Sequence, residues 1–258
     1  MNNKKEKFAR AGMVAKGAVY AIIGVLTAMA AFNLGGSKSG SDNALQFLAQ
    51  QSYGKVLLGA LALGLFGYTF YRIYEAINGP GDSWSEPKGF LKRSGYIVSG
   101  IFYGTLGYTA AKMVLGNSSG SGGGDSMIST LMSKPYGPYL VGFVALCLAG
   151  KAIFQLYKAY SGKFRDDVQE SSLSSKEQKT LIRAGKTGFT ARGIVSGILA
   201  FLFFKVALGE GGDTGGKVAA FEFLQNNFGA TVMGIVALGL VAYAVFMFIQ
   251  AKYAQIRL

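Results

Sequence analysis

Apolar residues gather into six long runs, at positions 13–34, 56–77, 96–115, 139–160, 189–208 and 230–249. Each run holds about 20 residues, and at ~1.5 Å rise per residue a helix of that length spans a hydrocarbon core of about 30 Å. The runs lack the strict apolar/polar alternation of a membrane barrel, and helices satisfy every backbone amide internally, as lipid demands. The expected fold is therefore all-α and integral to a membrane, with six transmembrane helices. Before the first run stand Lys4, Lys5, Lys7 and Arg10, and within it lies Ala28-Met29-Ala30, the layout of a cleavable signal peptide. Its counterparts later in the chain argue for a retained helix instead.

Those counterparts form a repeat. Residues 8–79 shifted by 83 positions match the chain again at 20 of 72 places without a gap. The matches include Arg10/Arg93, Gly12/Gly95, Gly17/Gly100, Tyr20/Tyr103 and Gly24/Gly107, then Gly54/Gly137, Gly59/Gly142, Gly67/Gly150 and Tyr74/Tyr157. A third copy shows Gly188, Gly193, Gly229, Gly234, Ala237 and Gly239. The chain divides into repeat 1 (8–79), repeat 2 (91–162), a connector (163–183) and repeat 3 (184–254), each repeat carrying two spans. An even number of spans per copy makes the copies parallel, so the expected arrangement is pseudo-threefold about the membrane normal rather than an inverted repeat.

Small residues at i, i+4 and i+7 mark one face of each first helix. Gly17 and Gly24, then Gly100, Gly104 and Gly107, then Gly193 and Gly197 let helix backbones approach closely, and helix packing is their expected role. Short amphipathic stretches precede the even-numbered spans. Leu45, Phe47 and Leu48 in the first of them are expected to dip into the headgroup layer, with 127–132 and 221–224 alike. Ser174 and Glu177 have capping-box spacing and open a basic stretch with Lys176, Lys179, Arg183 and Lys186, which would either lie along an anionic leaflet or serve as a solvated connector.

Charge adds orientation and removes chemistries. The 258 residues carry 26 Lys and Arg against 13 Asp and Glu, a formal +13. Counted by side, 19 of these cations flank the end bearing both termini and 6 the opposite end, with Lys151 inside a span. The positive-inside rule then puts both termini in the cytoplasm and the protein in the cytoplasmic (inner) membrane. The positive charge is thus read as topology and as attraction to anionic inner-leaflet lipid, with no nucleic acid as partner. Histidine is absent and Cys147 is the single cysteine, so no bis-His haem, HExxH metal site, Ser-His-Asp triad or internal disulfide can form. Gly211, Gly216 and Lys217 mimic part of a P-loop, but Val218 replaces the Ser or Thr that would bind magnesium.

Cations inside the spans are the candidate chemistry. Lys112 and Lys205 occupy equivalent positions, each four residues before a loop glycine, close enough to the end for their stems to snorkel. Lys16 and Arg192 are also equivalent and receive the same reading. Lys151 lies deeper, about 10 Å from Lys158 at the helical rise, where insertion of a lysine costs roughly 2.5–3.5 kcal/mol. The other two copies carry Tyr68 and Tyr243 at its place. Such a charge is by default a functional hypothesis: it pairs with carbonyls and tyrosine hydroxyls, faces a wet cavity, or binds an anion or lipid headgroup. Cys147 aligns with Gly64 and Gly239 and is expected to be a small packing residue.

Three two-helix copies, each with a basic residue two before a glycine (Arg10-Ala11-Gly12, Arg93-Ser94-Gly95, Lys186-Thr187-Gly188), resemble a bacterial family called domain of unknown function 1206. Thr190-Ala191-Arg192-Gly193 adds to the resemblance, which implies a six-helix bacterial membrane protein and transfers no activity. The leading expectation is a non-enzymatic scaffold, accessory subunit or lipid-binding protein without cofactor or metal. Its expected partners are the bilayer, anionic lipid, other membrane proteins or a second copy. The competing expectation is a channel or facilitator for an anion or small solute, with Lys112, Lys151 and Lys205 as its cationic contacts. A channel calls for a polar path touched by Lys151, and a scaffold for a closed centre packed by glycine.

Overall fold

The computed structural model describes residues 2–78, 87–116, 136–169, 173–210 and 216–254. They form seven α-helices: α1 (Asn2–Ala31), α2 (Ser41–Ala49), α3 (Gly54–Asn78), α4 (Pro87–Val114), α5 (Gly137–Ser161), α6 (Ser175–Ala207) and α7 (Lys217–Tyr253). A 3-10 turn, Lys163–Asp167, follows α5. Five of the described helices, all but α2 and α4, are long and apolar enough to cross a membrane. The six spans expected are thus met by five helices that satisfy both criteria. α4 has the length, with 28 residues, but Tyr96, Ser99, Tyr103, Thr105, Tyr108 and Thr109 make it less apolar.

Packing follows the repeat. The second helix of each copy lies against the first helix of the next: α3 on α4, α5 on α6, and α7 back on α1. Within a copy, α1 packs on α3 and α6 on α7. Among the described residues, α4 and α5 share no comparable interface. The helices therefore run in an arc, α4–α3–α1–α7–α6–α5, with its two ends at the two helices of the middle copy.

Glycine placement explains the close pairs. A Cβ on Gly24 would stand 2.7 Å from Val241 Cγ2 and 2.8 Å from the Ala237 carbonyl oxygen, and one on Gly17 2.8 Å from Phe248. Gly100, Gly104 and Gly107 face Ile73, Thr69 and Leu65 of α3, while Gly193 and Gly197 face Leu156 and Ala152 of α5. All seven lie between copies, on the first helix of one and the second helix of the one before.

The basic residue two before each copy's glycine acts at the same end of the bundle. Arg10 donates to the carbonyls of Ala251, Lys252 and Ala254 at the end of α7, and Arg93 to those of Ala76 and Ile77 at the end of α3. Lys186 sits over the Tyr160 ring at the end of α5. A cation at a helix C-terminus satisfies orphan carbonyls and meets the negative end of the macrodipole.

Three local expectations change. Leu45 of α2 is fully buried in the protein rather than in headgroups, because α2 packs among α1, α3 and α4. Phe221 and Leu224 are buried as well, in the first leg of α7. Gly229 (φ 85°, ψ 165°) breaks that helix into two legs, a backbone conformation that glycine adopts at little cost. Residues 127–132 lie outside the described residues. The capping box at Ser174 and Glu177 forms, but α6 runs from Ser175 into the apolar stretch without a break. The basic stretch is thus a continuation of the long helix, with Leu181 buried in the core.

Candidate functional site: a cationic centre in the helix bundle

Four repeat-related positions meet in the middle of the arc. The first helices supply Lys16, Ser99 and Arg192 at one position, and Tyr20, Tyr103 and Ser196 one turn on. The second helices supply Tyr68, Lys151 and Tyr243, then Arg72, Gln155 and Met247. Helical spacing puts each such pair on one face, and the packing of helices turns these faces inward.

Tyr68, fully buried, accepts hydrogen bonds from two cations, Lys16 Nζ at 3.1 Å and Arg72 Nε at 2.8 Å. Lys16 is only 5% exposed and also lies over the rings of Tyr103 (5.1 Å) and Tyr243 (5.7 Å). Arg192 stacks over Tyr243 at 4.2 Å and faces Tyr20 at 5.2 Å. Tyr20 and Tyr243 meet edge to face at 4.9 Å. Lys217 reaches in from the far end, donating to Ser41 Oγ at 2.9 Å and lying 5.3 Å from the Tyr20 ring. Contacts therefore run unbroken from Arg72 near the terminal end to Lys217 at the other.

Lys151 joins this group. Its side chain is exposed, yet its strongest electrostatic neighbours are Tyr20, Arg192, Lys217 and Lys16. One turn away, Gln155 is buried and donates to Ser196 Oγ at 3.0 Å, while its Oε1 has no partner. Glu75 pairs with Arg72 and accepts from Tyr71 at 2.8 Å, so it is engaged away from Lys151. Asp42 acts on Lys217. Lys16, Lys151 and Arg192 have tyrosines as their strongest attractive neighbours.

Three sequence readings are corrected here. Lys16 and Arg192 do not snorkel; they point into the bundle. Lys217, counted only as a loop cation, reaches the same centre. Cys147, expected to pack, is exposed, because the α4 face that would cover it lies away. Lys112 is partly exposed over the Tyr108 ring of its own helix, and Lys205 is partly exposed in the last turn of α6. Neither is among the strongest neighbours of Lys151.

Lys16, Arg192 and Lys217 thus bring positive charge into the bundle beside the Arg72–Glu75 pair, with Lys151 exposed at its edge. Cation–π contacts return about 0.5–2 kcal/mol each, against several kcal/mol for desolvating an ion. The remaining deficit favours any anion able to reach the centre. Among the described residues there is no cluster of three or more metal-binding side chains.

The molecule is thus a helical repeat protein with membrane-length apolar helices around a cationic, tyrosine-lined centre. The chain belongs to the family described as Domain of Unknown Function (DUF1206), whose profile matches three times, at residues 11–79, 94–162 and 187–254. It is also 27% identical over 250 residues to an uncharacterized protein, YxxB, of Bacillus subtilis (strain 168), an alignment covering 96% of this chain and 90% of that one. No solved structure matches the chain.

Proposed function

We propose that this is a non-enzymatic membrane protein that binds an anion at the centre of its helix bundle. The observation that carries this reading is the gathering of Lys16, Arg72, Lys151, Arg192 and Lys217 around Tyr20, Tyr68, Tyr103 and Tyr243, with Glu75 and Asp42 as the carboxylates acting there. A polar path touched by Lys151 is what the channel or facilitator alternative called for. The scaffold reading rests on the Gly/Ala packing faces and the basic surface at the end that bears the termini.

The reading includes six spans in pseudo-threefold order, with α4 admitted to the hydrocarbon by its packing on α3. It also includes the inner membrane, and termini on the cytoplasmic side. In a Cys147→Ser background, Ser37→Cys is expected to react with an impermeant maleimide from outside the cell, and Ser161→Cys only after lysis. The reverse pattern overturns this orientation.

Anion binding is tested by thermal unfolding in neutral detergent with inorganic phosphate or phosphatidylglycerol added. A ligand at 100 times its dissociation constant stabilises by about 2.7 kcal/mol, readable as a rise in Tm. The rise is expected in the native protein and should be largely lost in Lys16→Met. Equal responses in both, or no rise with either probe, would sink the proposal.

A further inference from the structure

The glycine two after the basic residue makes the same contact in two copies and none in the third. A Cβ on Gly12 would be 2.5 Å from Tyr68 Cβ, and one on Gly188 2.5 Å from Tyr243 Cα, so first and second helices touch backbone to backbone. The matching pair in the middle copy is Gly95 and Lys151, and among the described residues a Cβ on Gly95 would meet nothing within 4 Å. A second pair behaves alike. Gly64 closes on Ala15 and Gly239 on Ala191, whereas Cys147, at the equivalent position of α5, is exposed. Of its sisters' closing residues the middle copy keeps only Gly95: Lys151 stands for the tyrosine, Val98 for the alanine and Cys147 for the glycine.

Where the pair fails to close, the chain places its one departure from the central tyrosines, Lys151, and leaves it exposed. Gln155, one turn on, keeps a buried acceptor without a partner. Exposed apolar side chains flank the pair, Ile101 on α4 and Leu146 and Phe154 on α5, while Phe102 of α4 turns its ring to Lys217 at 5.7 Å. A gap between two such helices opens sideways, toward acyl chains. A ligand using it has an anionic head and an apolar tail.

Resting on the central anion site, we propose that its ligand is an anionic phospholipid that enters sideways between α4 and α5. Its phosphate lies against Lys151, Arg192 and Lys16, and its tails stay in the bilayer.

Val98 and Cys147 hold the positions of Ala15 and Gly64, so a bridge between Val98→Cys and the native thiol would tie the two helices of the middle copy together. The test counts phosphatidylglycerol against phosphatidylcholine retained by the detergent-purified full chain, by native mass spectrometry. The native protein is expected to prefer phosphatidylglycerol, and Lys151→Met to weaken that preference about fivefold, the worth of one cation near a headgroup. Oxidising Val98→Cys should form the disulfide and abolish retention, and reduction should restore it. Unchanged retention after crosslinking by oxidant or a short bis-maleimide overturns the sideways route, as does an unchanged lipid preference in Lys151→Met. No lipid preference, together with Lys16-dependent stabilisation by inorganic phosphate, leaves the anion site standing and removes the lipid. If neither probe binds, both readings fall.

Discussion

Gly12→Ala and Gly188→Ala are expected to destabilise the protein sharply, while Gly95→Ala leaves it unchanged or slightly more stable. The three substitutions are the same chemically and occupy the same position of the repeat. At Gly12 the new methyl would overlap the Cβ, N and Cα of Tyr68, and at Gly188 those of Tyr243. Backbone atoms of a packed helix cannot swing aside as a side chain can, so the helices must part. Overpacking of this kind costs typically about 1–3 kcal/mol, and parting would also disturb the hydrogen bonds of Tyr68. At Gly95 the methyl meets open space, and exchange of glycine for alanine inside a helix gains about 1 kcal/mol at most. Thermal unfolding in neutral detergent separates these outcomes. Equal losses at all three positions would show that the middle pair is closed like the others.

The second large effect is expected from Tyr68→Phe. One hydroxyl oxygen accepts from both Lys16 and Arg72, and it is fully buried. Its removal keeps the ring, and with it the cation–π contacts of Lys16 (4.9 Å) and Arg72 (5.1 Å). Two cations then lose the buried acceptor that they share. Unmaking a hydrogen bond to a buried charged group costs about 1.5–3 kcal/mol, and leaving a buried charge uncompensated about 3–5 kcal/mol. Arg72 retains Glu75, so most of the loss falls on Lys16. Added inorganic phosphate should recover more stability in Tyr68→Phe than in the native protein, since the anion takes over the missing acceptor. A variant with native Tm, or one whose deficit ignores phosphate, would show that this hydroxyl does not hold the cluster together.

Apolar run length reveals where the helices are, because lipid imposes a length on any helix that crosses it. It reveals less about α4, whose tyrosines and threonines lower its hydropathy below that of the other long helices. The repeat carried further than hydropathy did. The same alignment that exposed Gly17, Gly100 and Gly193 also contained the central site, since Lys16 with Arg192 and Tyr68 with Lys151 and Tyr243 are aligned positions. Depth alone assigned Lys16 and Arg192 to the interface, and depth cannot say which side of a helix faces inward. Asking which polar positions recur on the glycine-bearing face would have found them. The unclosed α4–α5 pair was not legible at all, because Gly95 and Cys147 look in the sequence like any other packing residues.

The seam between α1 and α7 constrains how the protein is made. α1 leaves the ribosome before the other described helices, yet its partner along Gly17 and Gly24, α7, follows only about 200 residues later. At 5–20 residues per second the wait is roughly 10–40 s. Until α7 arrives, α1 stands in the bilayer with Lys16 met by Tyr68 of α3 and Tyr103 of α4 but not by Tyr243, and with Arg10 lacking the carbonyls it will latch. A chain interrupted before Lys217 never completes that seam, and quality-control proteases that recognise unpaired polar faces in the membrane have their substrate there.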